Sequence, residues 1–383
     1  MKLLFLFPGP TPPPSDDRLN RIHFISHSNS GDILLPVWFS SAEIAKAKLG
    51  DDSFPHKFVG TFRYTFLCLY RYPRALRTLA CFAFFLVVGY RLCRRHHYDA
   101  IVAYGTSVTG LAGALLSHLA DAPLIAEIPG VPDKAFVVDT PSPSIGTRIK
   151  KFVADRILDF VAHTSAGLVL LFPSQLPKRL NACRAQRFVL HAFVPVSAVP
   201  CSDETPTILL VGFPWYLKGV DLICRAFNLV KAEIPDYRLV LMGHYPDIPP
   251  FLDSLESHDR IVLKKPTPYK ECLSEIASCA FLVLPSRTEA MGRVILEAMA
   301  AGRPVIGSRV DGIPFYIDNH KTGLLVDPED VDQLATAVRR LASDTSLRES
   351  LGAAAREKVL SRYLESSYAT DFDTMLRCVL RER

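Results

Sequence analysis

Two glutamates raise the first chemical question. Glu289 and Glu297, in the stretch EAMGRVILE, have seven residues between them; Gly292 is one of the seven, and an apolar helical run follows. The run CAFLVLPS reads as a strand ending near Pro285, so residues 286–291 form the loop at its carboxyl end. In an open parallel sheet that is where ligands bind. Gly292 then opens the next helix, whose free N–H groups and positive dipole end form an anion site. A glycine there lets a ligand approach the backbone closely. Glu297 falls five residues into that helix, about 7.5 Å along its axis, roughly the reach from a diphosphate to a ribose ring. A carboxylate at that place can accept hydrogen bonds from two vicinal hydroxyls. Glu289, beyond the other end of the phosphates, can accept from the hydroxyls of a sugar. The pair therefore fits a ligand with hydroxyls at both ends and a diphosphate between them. The blander reading is two solvated helix-end acids.

The elements that must position these acids follow from the apolar pattern. KLLFLF, YDAIVAYG, APLIAEIPG and AGLVLLFPS form one series of strand-like runs. PTILLVG, YRLVLMG, RIVLKK, CAFLVLPS and RPVIGS form a second. Helical patterns such as DDRLNRIHFISH, LAGALLSHLA, LICRAFNLVKAEI and YKECLSEIASCA stand between them. Alternating strands and helices imply parallel sheets covered on both faces, and two series imply two doubly wound domains. At 383 residues the chain suits two domains better than one core. The join falls in the proline-rich HAFVPVSAVPCSDETP, 191–206.

Composition narrows the setting. The nine cysteines are odd in number and include no CxxC pair, which argues for a reducing compartment over a disulfide framework or a zinc ribbon. The opening MKLLFLFPGP has an apolar run of only five residues after Lys2, which reads as a first strand and not a signal peptide. From Ser53 to Tyr98 there is no Asp or Glu, while Lys57 and seven arginines lie there. Between the basic clusters runs LACFAFFLVVGY, whose twelve residues fall short of the ~20 needed to span a bilayer. Two readings stay open: a buried core helix with basic ends, or a helix lying on an anionic membrane surface. The expected location is cytoplasmic, peripheral on the cytoplasmic face of a membrane in the second case.

The segment EAMGRVILEAMAAGRPVIGS, followed by DGIP and TGLLVDPED, resembles the donor-site signature of retaining glycosyltransferases of family four, which have the GT-B fold. VGFPWYLKGVDLICRAF resembles the start of the same family's donor domain. The resemblance covers roughly Thr207 to Asp330 and is weak before it. It implies an α/β chain of two doubly wound Rossmann-like domains facing across a cleft. Residues 1–197 would bind the acceptor, 198–364 the nucleotide-diphosphate sugar, and the last helix, 365–383, would pack back on the first domain. It makes Glu297 the ribose ligand and Glu289 the donor-sugar ligand. Gly212 would line the donor site, and Gly292, Arg293 and Val294 would offer backbone donors to the diphosphate. Lys218 would bind the diphosphate by charge, and Lys218 and Glu289 would carry the catalysis.

The chain also departs from the family pattern. Phe213 stands where an arginine usually follows the glycine, with Arg287 and Arg293 as candidate substitutes. Pro129 replaces a histidine common near the reacting centre, and Phe315 replaces a common acid. The first-strand loop PGPTPPPS has only Gly9 to approach a ligand. On the acceptor side the candidates are Gly9, Arg18 and Glu127, weighed against structural ion pairs or caps.

Other constellations carry less. His23 and His27 have metal-ligand spacing without a third ligand, and GDD at 50–52 lies in the other domain from the diphosphate site. YGTSVTGLAG lacks the dinucleotide-binding glycine order, and neither a P-loop nor a GxSxG elbow occurs. No resident cofactor or metal is expected, and no nucleic-acid partner. The resemblance therefore implies a glycosyltransferase moving a sugar from a nucleotide-diphosphate sugar to a glycan or lipid-linked acceptor with retention of configuration. The alternatives are a non-catalytic nucleotide-sugar binding protein, or a GT-B epimerase or phosphorylase.

Overall fold

The computed structural model describes residues 1–8, 22, 25–37, 56–69, 72–134, 144–194, 196, 199–200, 202–245, 249–254 and 258–381. The expected helix DDRLNRIHFISH, Gly9, Arg18, His23 and the GDD triplet fall wholly or mainly outside these residues.

The chain divides into two compact units. The first comprises 1–132, 144–190 and 368–383; the second comprises 133–143 and 191–367. The division therefore falls at Leu190 and not after residue 197, and 133–143 joins the second unit.

The first unit runs β1 (Lys2–Leu6), β2 (Ser30–Val37), β3 (His56–Val59), β4 (Phe62–Cys68), α1 (Arg77–Arg95), β5 (Ala100–Tyr104), α2 (Val108–Ala120), β6 (Leu124–Glu127), α3 (Ile145–Thr164), β7 (Gly167–Leu170) and β8 (Gln186–Val189). Its sheet has the order β3-β4-β2-β1-β5-β6-β7-β8. All pairs are parallel except the edge hairpin of β3 and β4. Sequence reading found four of these strands and missed β2, β3, β4 and β8. The reason is chemical: Pro36 interrupts β2, and β3 and β4 lie inside the acid-free basic segment, where charge drew attention away from the strand period. Helix α1 corrects a second expectation. It extends the twelve-residue apolar run to nineteen residues. With the turn before it, Arg74–Arg95 is long and apolar enough to cross a membrane by length and composition.

The second unit runs β9 (Thr205–Val211), α4 (Val220–Val230), β10 (Arg238–Met242), α5 (Pro249–Asp253), β11 (Ile261–Lys264), α6 (Tyr269–Ser278), β12 (Cys279–Leu284), α7 (Arg293–Ala300), β13 (Val305–Ser308), α8 (Ile313–Tyr316), β14 (Leu324–Val326), α9 (Val331–Ser343) and α10 (Thr345–Arg362). Its all-parallel sheet has the order β11-β10-β9-β12-β13-β14. Every residue of β12 is buried, the sign of a central strand covered on both faces. Adjacent residues on β9 feed opposite cores: Ile208 and Leu210 pack towards α4, Leu209 towards α7. The strand order reverses between β9 and β12, so the loops leaving those two strands flank the topological switch point, where doubly wound sheets bind ligands.

A last helix, α11 (Glu365–Arg381), belongs from Tyr368 onward to the first unit. There Phe372 stacks near Phe5, with ring centroids 6.2 Å apart. Asp373 accepts hydrogen bonds from Ser28 Oγ at 2.6 Å and Asn29 Nδ2 at 2.7 Å.

Candidate donor-binding site

The loop leaving β9 ends at Gly219, which starts α4 with φ +67°. A side chain there would be strained, and its Cβ would lie 2.1 Å from the Pro285 carbonyl oxygen. Glycine is thus what lets this loop lie directly against the end of β12. Arg287 N–H donates to the Leu217 carbonyl at 2.9 Å and closes the same junction. The Lys218 stem lies across Gly212, and its Nζ forms an ion pair with Glu289. Both side chains are largely buried. The two residues expected to handle the diphosphate and the sugar are therefore brought together, from loops that leave neighbouring strands.

The Glu289 loop is held by Asp311. Thr288 Oγ1 donates to Asp311 Oδ2 at 2.7 Å, and the Glu289 N–H donates to the same oxygen at 3.2 Å. Gly312 N–H donates to the Glu289 carbonyl at 3.0 Å. Lys134 pairs with the other Asp311 oxygen at 2.9 Å. This carboxylate fixes the Glu289 backbone rather than its acid.

Gly292 caps α7 with φ +62°. A Cβ there would come within 3.2 Å of Glu289 Cγ and 2.8 Å of Ile295 Cδ1. The Ile295 N–H is taken by the Gly292 carbonyl at 2.7 Å. The Arg293 and Val294 amides remain the open donors of this first turn among the described residues, at the positive end of the helix.

Glu297 is buried, at 6% exposure, and its two oxygens are unequal. Oε1 accepts from Tyr269 Oη at 3.0 Å and from Arg293 Nε at 3.2 Å. Oε2 makes no hydrogen bond among the described residues, so it is the acceptor open to a ligand hydroxyl. Burial, and then the Glu297 charge, hold the Tyr269 phenol above its ordinary range, so it remains a proton donor. The Arg293 guanidinium also lies over the Tyr269 ring, 5.5 Å from its centroid.

Two sequence expectations change here. Arg287 does not replace the missing cation at Phe213. It is bidentate to Asp221 at 2.7 and 2.8 Å, pairs with Glu329 at 2.6 Å, and lies over the Tyr216 ring at 3.8 Å. Those partners match its planar fork and occupy its charge. The Arg293 side chain is committed to Glu297, which leaves its backbone amide for the anion. Phe213 itself is exposed, with its ring 5.9 Å from that of His244. Phe315, in the place of a common acid, packs on His191 at 5.2 Å.

Glu127 ends β6 in the first unit, buried, and its carbonyl accepts the Gly105 N–H at 2.9 Å. The segment around exposed Pro129 is pinned by Gln175 Nε2, which donates to the Ile128 and Gly130 carbonyls at 2.7 and 2.6 Å. Among the described residues no group of three His, Cys, Asp or Glu could hold a metal ion. Sequence reasoning missed Tyr269, Asp311 and Asp221. Asp311 stood inside the quoted DGIP; Tyr269 and Asp221 had no local signal, because their partners are 28 and 66 residues away.

Residues 205–344 match the model of the family "Glycosyl transferases group 1", in agreement with the resemblance drawn from EAMGRVILE. The N-acetyl-alpha-D-glucosaminyl L-malate synthase of Bacillus anthracis is 33% identical over 170 residues, 43% of this chain and 44% of that one. The chain thus spans less than half the length of this relative. Sucrose-phosphate synthase from Thermosynechococcus elongatus superposes with a TM-score of 0.81 at 17% identity, covering 100% of both chains. Anabaena HepE, solved in complex with UDP, gives a TM-score of 0.70 at 14% identity over 99% of this chain and 100% of that one. At these identities the likeness is one of fold, and the fold is that of the GT-B glycosyltransferases.

Proposed function

We propose that this chain is a group 1 glycosyltransferase that moves a sugar from a nucleotide-diphosphate sugar to an acceptor, with retention of anomeric configuration. One observation carries the reading. At the switch point of the second unit, the Lys218–Glu289 pair, the open amides of Arg293 and Val294, and the free oxygen of Glu297 lie on the loops and first turns that lead into α7, an arrangement that suits a sugar, a diphosphate and a ribose in that order. When the donor binds, its diphosphate takes the two amides and draws Lys218 from Glu289. Glu289 is then released to accept hydrogen bonds from the sugar, and Glu297 Oε2 accepts from the ribose. As the glycosidic bond breaks, negative charge grows on the leaving diphosphate, where Lys218 and the helix end stabilise it.

The first unit would take the acceptor, a glycan or lipid-linked intermediate, with Glu127 as the described candidate. The acid-free segment 53–98 would meet an anionic membrane from the cytoplasmic side. That setting suits assembly of a surface polysaccharide or glycolipid.

A thermal-shift screen of UDP-, GDP- and ADP-sugars tests the donor reading. A donor at one hundred times its Kd should stabilise the fold by about 2.7 kcal/mol. No stabilisation by any nucleotide sugar would count against a donor site. Stabilisation without any turnover would favour a non-catalytic binding protein.

A further inference from the structure

Helices α1, α2 and α3 of the first unit lie side by side, with α2 between the other two. Their inner faces share one core: Phe84, Phe85 and Val88 from α1, Leu116 from α2, Leu158 and Val161 from α3. The faces turned away from that core are also apolar. At about 100° per residue, Ile145, Ile149, Phe152 and Phe160 fall on α3 within a wedge of about 80°, opposite Leu158 and Val161. All four are exposed, Ile145 at 78% and Phe152 at 64%. On α1, Leu79 and Tyr90 are likewise exposed opposite the buried phenylalanines, and exposed Val87 flanks them.

The charge around this surface is mostly positive. The three helices carry eight lysines and arginines against two acids, Asp155 and Asp159. Both acids are already paired, Asp155 with Lys151 at 2.5 Å and Arg179 at 3.0 Å, Asp159 with Arg156 at 2.5 Å and Arg179 at 2.9 Å. Arg91, Arg94 and Arg95, at the end of α1, are exposed and face no acid on their own helix. An apolar face fringed by cations complements an anionic lipid surface: side chains enter the acyl boundary while arginines meet headgroups.

We propose that the outer faces of α1 and α3 together dock on the surface of an anionic bilayer, the apolar stripe of α3 inserting beside the basic end of α1. The helices lie along the interface and do not cross it, because α1 is held to the sheet through its inner face. This extends the membrane contact of segment 53–98 to a second helix far along the chain, and it does not depend on the donor site.

The test sediments the full-length protein with phosphatidylcholine vesicles, and with vesicles carrying phosphatidylglycerol, at low and high salt. Binding to anionic vesicles that weakens with salt is expected. Phe152→Ser with Phe160→Ser should lower the partition at least about tenfold. Arg91→Gln with Arg94→Gln should remove most of the preference for anionic lipid. All four positions are exposed, and circular dichroism checks that each variant folds. Equal binding to neutral and anionic vesicles, or none to either, overturns the proposal. So does a dimer in analytical ultracentrifugation that the serine variant dissociates without any vesicle binding. Binding of UDP, GDP and ADP, measured in parallel by calorimetry, reports the other unit. Vesicle binding without nucleotide binding would support this proposal and sink the donor reading.

Discussion

Glu297→Gln and Glu289→Gln should have opposite signatures in nucleotide binding. In the wild type, Tyr269 and Arg293 both donate to Glu297 Oε1, at 3.0 and 3.2 Å. A glutamine must turn its oxygen towards those two donors, since the reverse would set its NH₂ against them. Its NH₂ then occupies the place of Oε2, where the ribose needs an acceptor. A charge-assisted hydrogen bond to the ribose is lost, about 1.5–3 kcal/mol, so affinity for the nucleoside diphosphate should fall roughly ten- to hundredfold. Glu289→Gln should do the reverse. It removes the carboxylate that neutralises Lys218, so the lysine meets the diphosphate without first breaking an ion pair. In a largely buried pair the desolvation cost offsets much of the attraction, so nucleoside-diphosphate binding should stay unchanged or tighten up to about tenfold while sugar transfer falls. Isothermal titration with the free nucleoside diphosphate reads both. Equal wild-type affinity in the two variants would refute the ribose assignment, and weaker binding in Glu289→Gln would refute the competition for Lys218.

Three further outcomes are expected. Transfer should survive EDTA, because Lys218 and the α7 amides meet the phosphate charge; complete loss, restored by Mn²⁺, would contradict this. Asp311→Asn weakens the hydrogen bonds and the ion pair that hold the Glu289 loop. It should lower kcat about tenfold or more while leaving nucleoside-diphosphate affinity within about twofold, as steady-state kinetics and calorimetry would read. Alkaline pH should destabilise the fold through groups whose pKa values burial raises. The Cys224 and Cys279 thiols are pushed up to about 12, and the Tyr245, Tyr269 and Tyr316 phenols are also raised. The unfolded chain ionises these groups first, so stability is full below about pH 9 and falls as pH rises through 9 to 12. Urea midpoints at about pH 8 and pH 10.5 check the sign.

What could be read from the sequence depended on how local the cause was. The second sheet was legible because its buried strands are short apolar runs, such as CAFLVL, bounded by helical periods. The pairing of Glu289 with a helix opening at Gly292 was legible because loop, glycine and acid lie within nine residues. The environment of those acids was not. Tyr269 reaches Glu297 from another helix, and Asp221 captures Arg287 across 66 residues, so the arginine proposed to replace the cation at Phe213 proved already occupied. In the first unit, the β3–β4 hairpin was hidden in the basic segment, and α1 outran its apolar core because arginines are good helix formers at its ends. The apolar stripe of α3, formed by Ile145, Ile149, Phe152 and Phe160, went unread in the sequence. Which face of that helix points away from the core becomes visible only once Leu158 and Val161 are seen inside it.

The central claim is sugar transfer by the Lys218–Glu289 site. The most direct measurement incubates the full-length protein with UDP-, GDP- and ADP-sugars labelled in the sugar, with glycan and lipid-linked acceptors and with water alone. The wild type should release nucleoside diphosphate from one donor class and pass label to acceptor or water, while Glu289→Gln binds the nucleotide but releases at most a few per cent as much. A protein that binds the nucleotide yet transfers label from none of the donors, or a Glu289→Gln variant as active as wild type, would contradict the account.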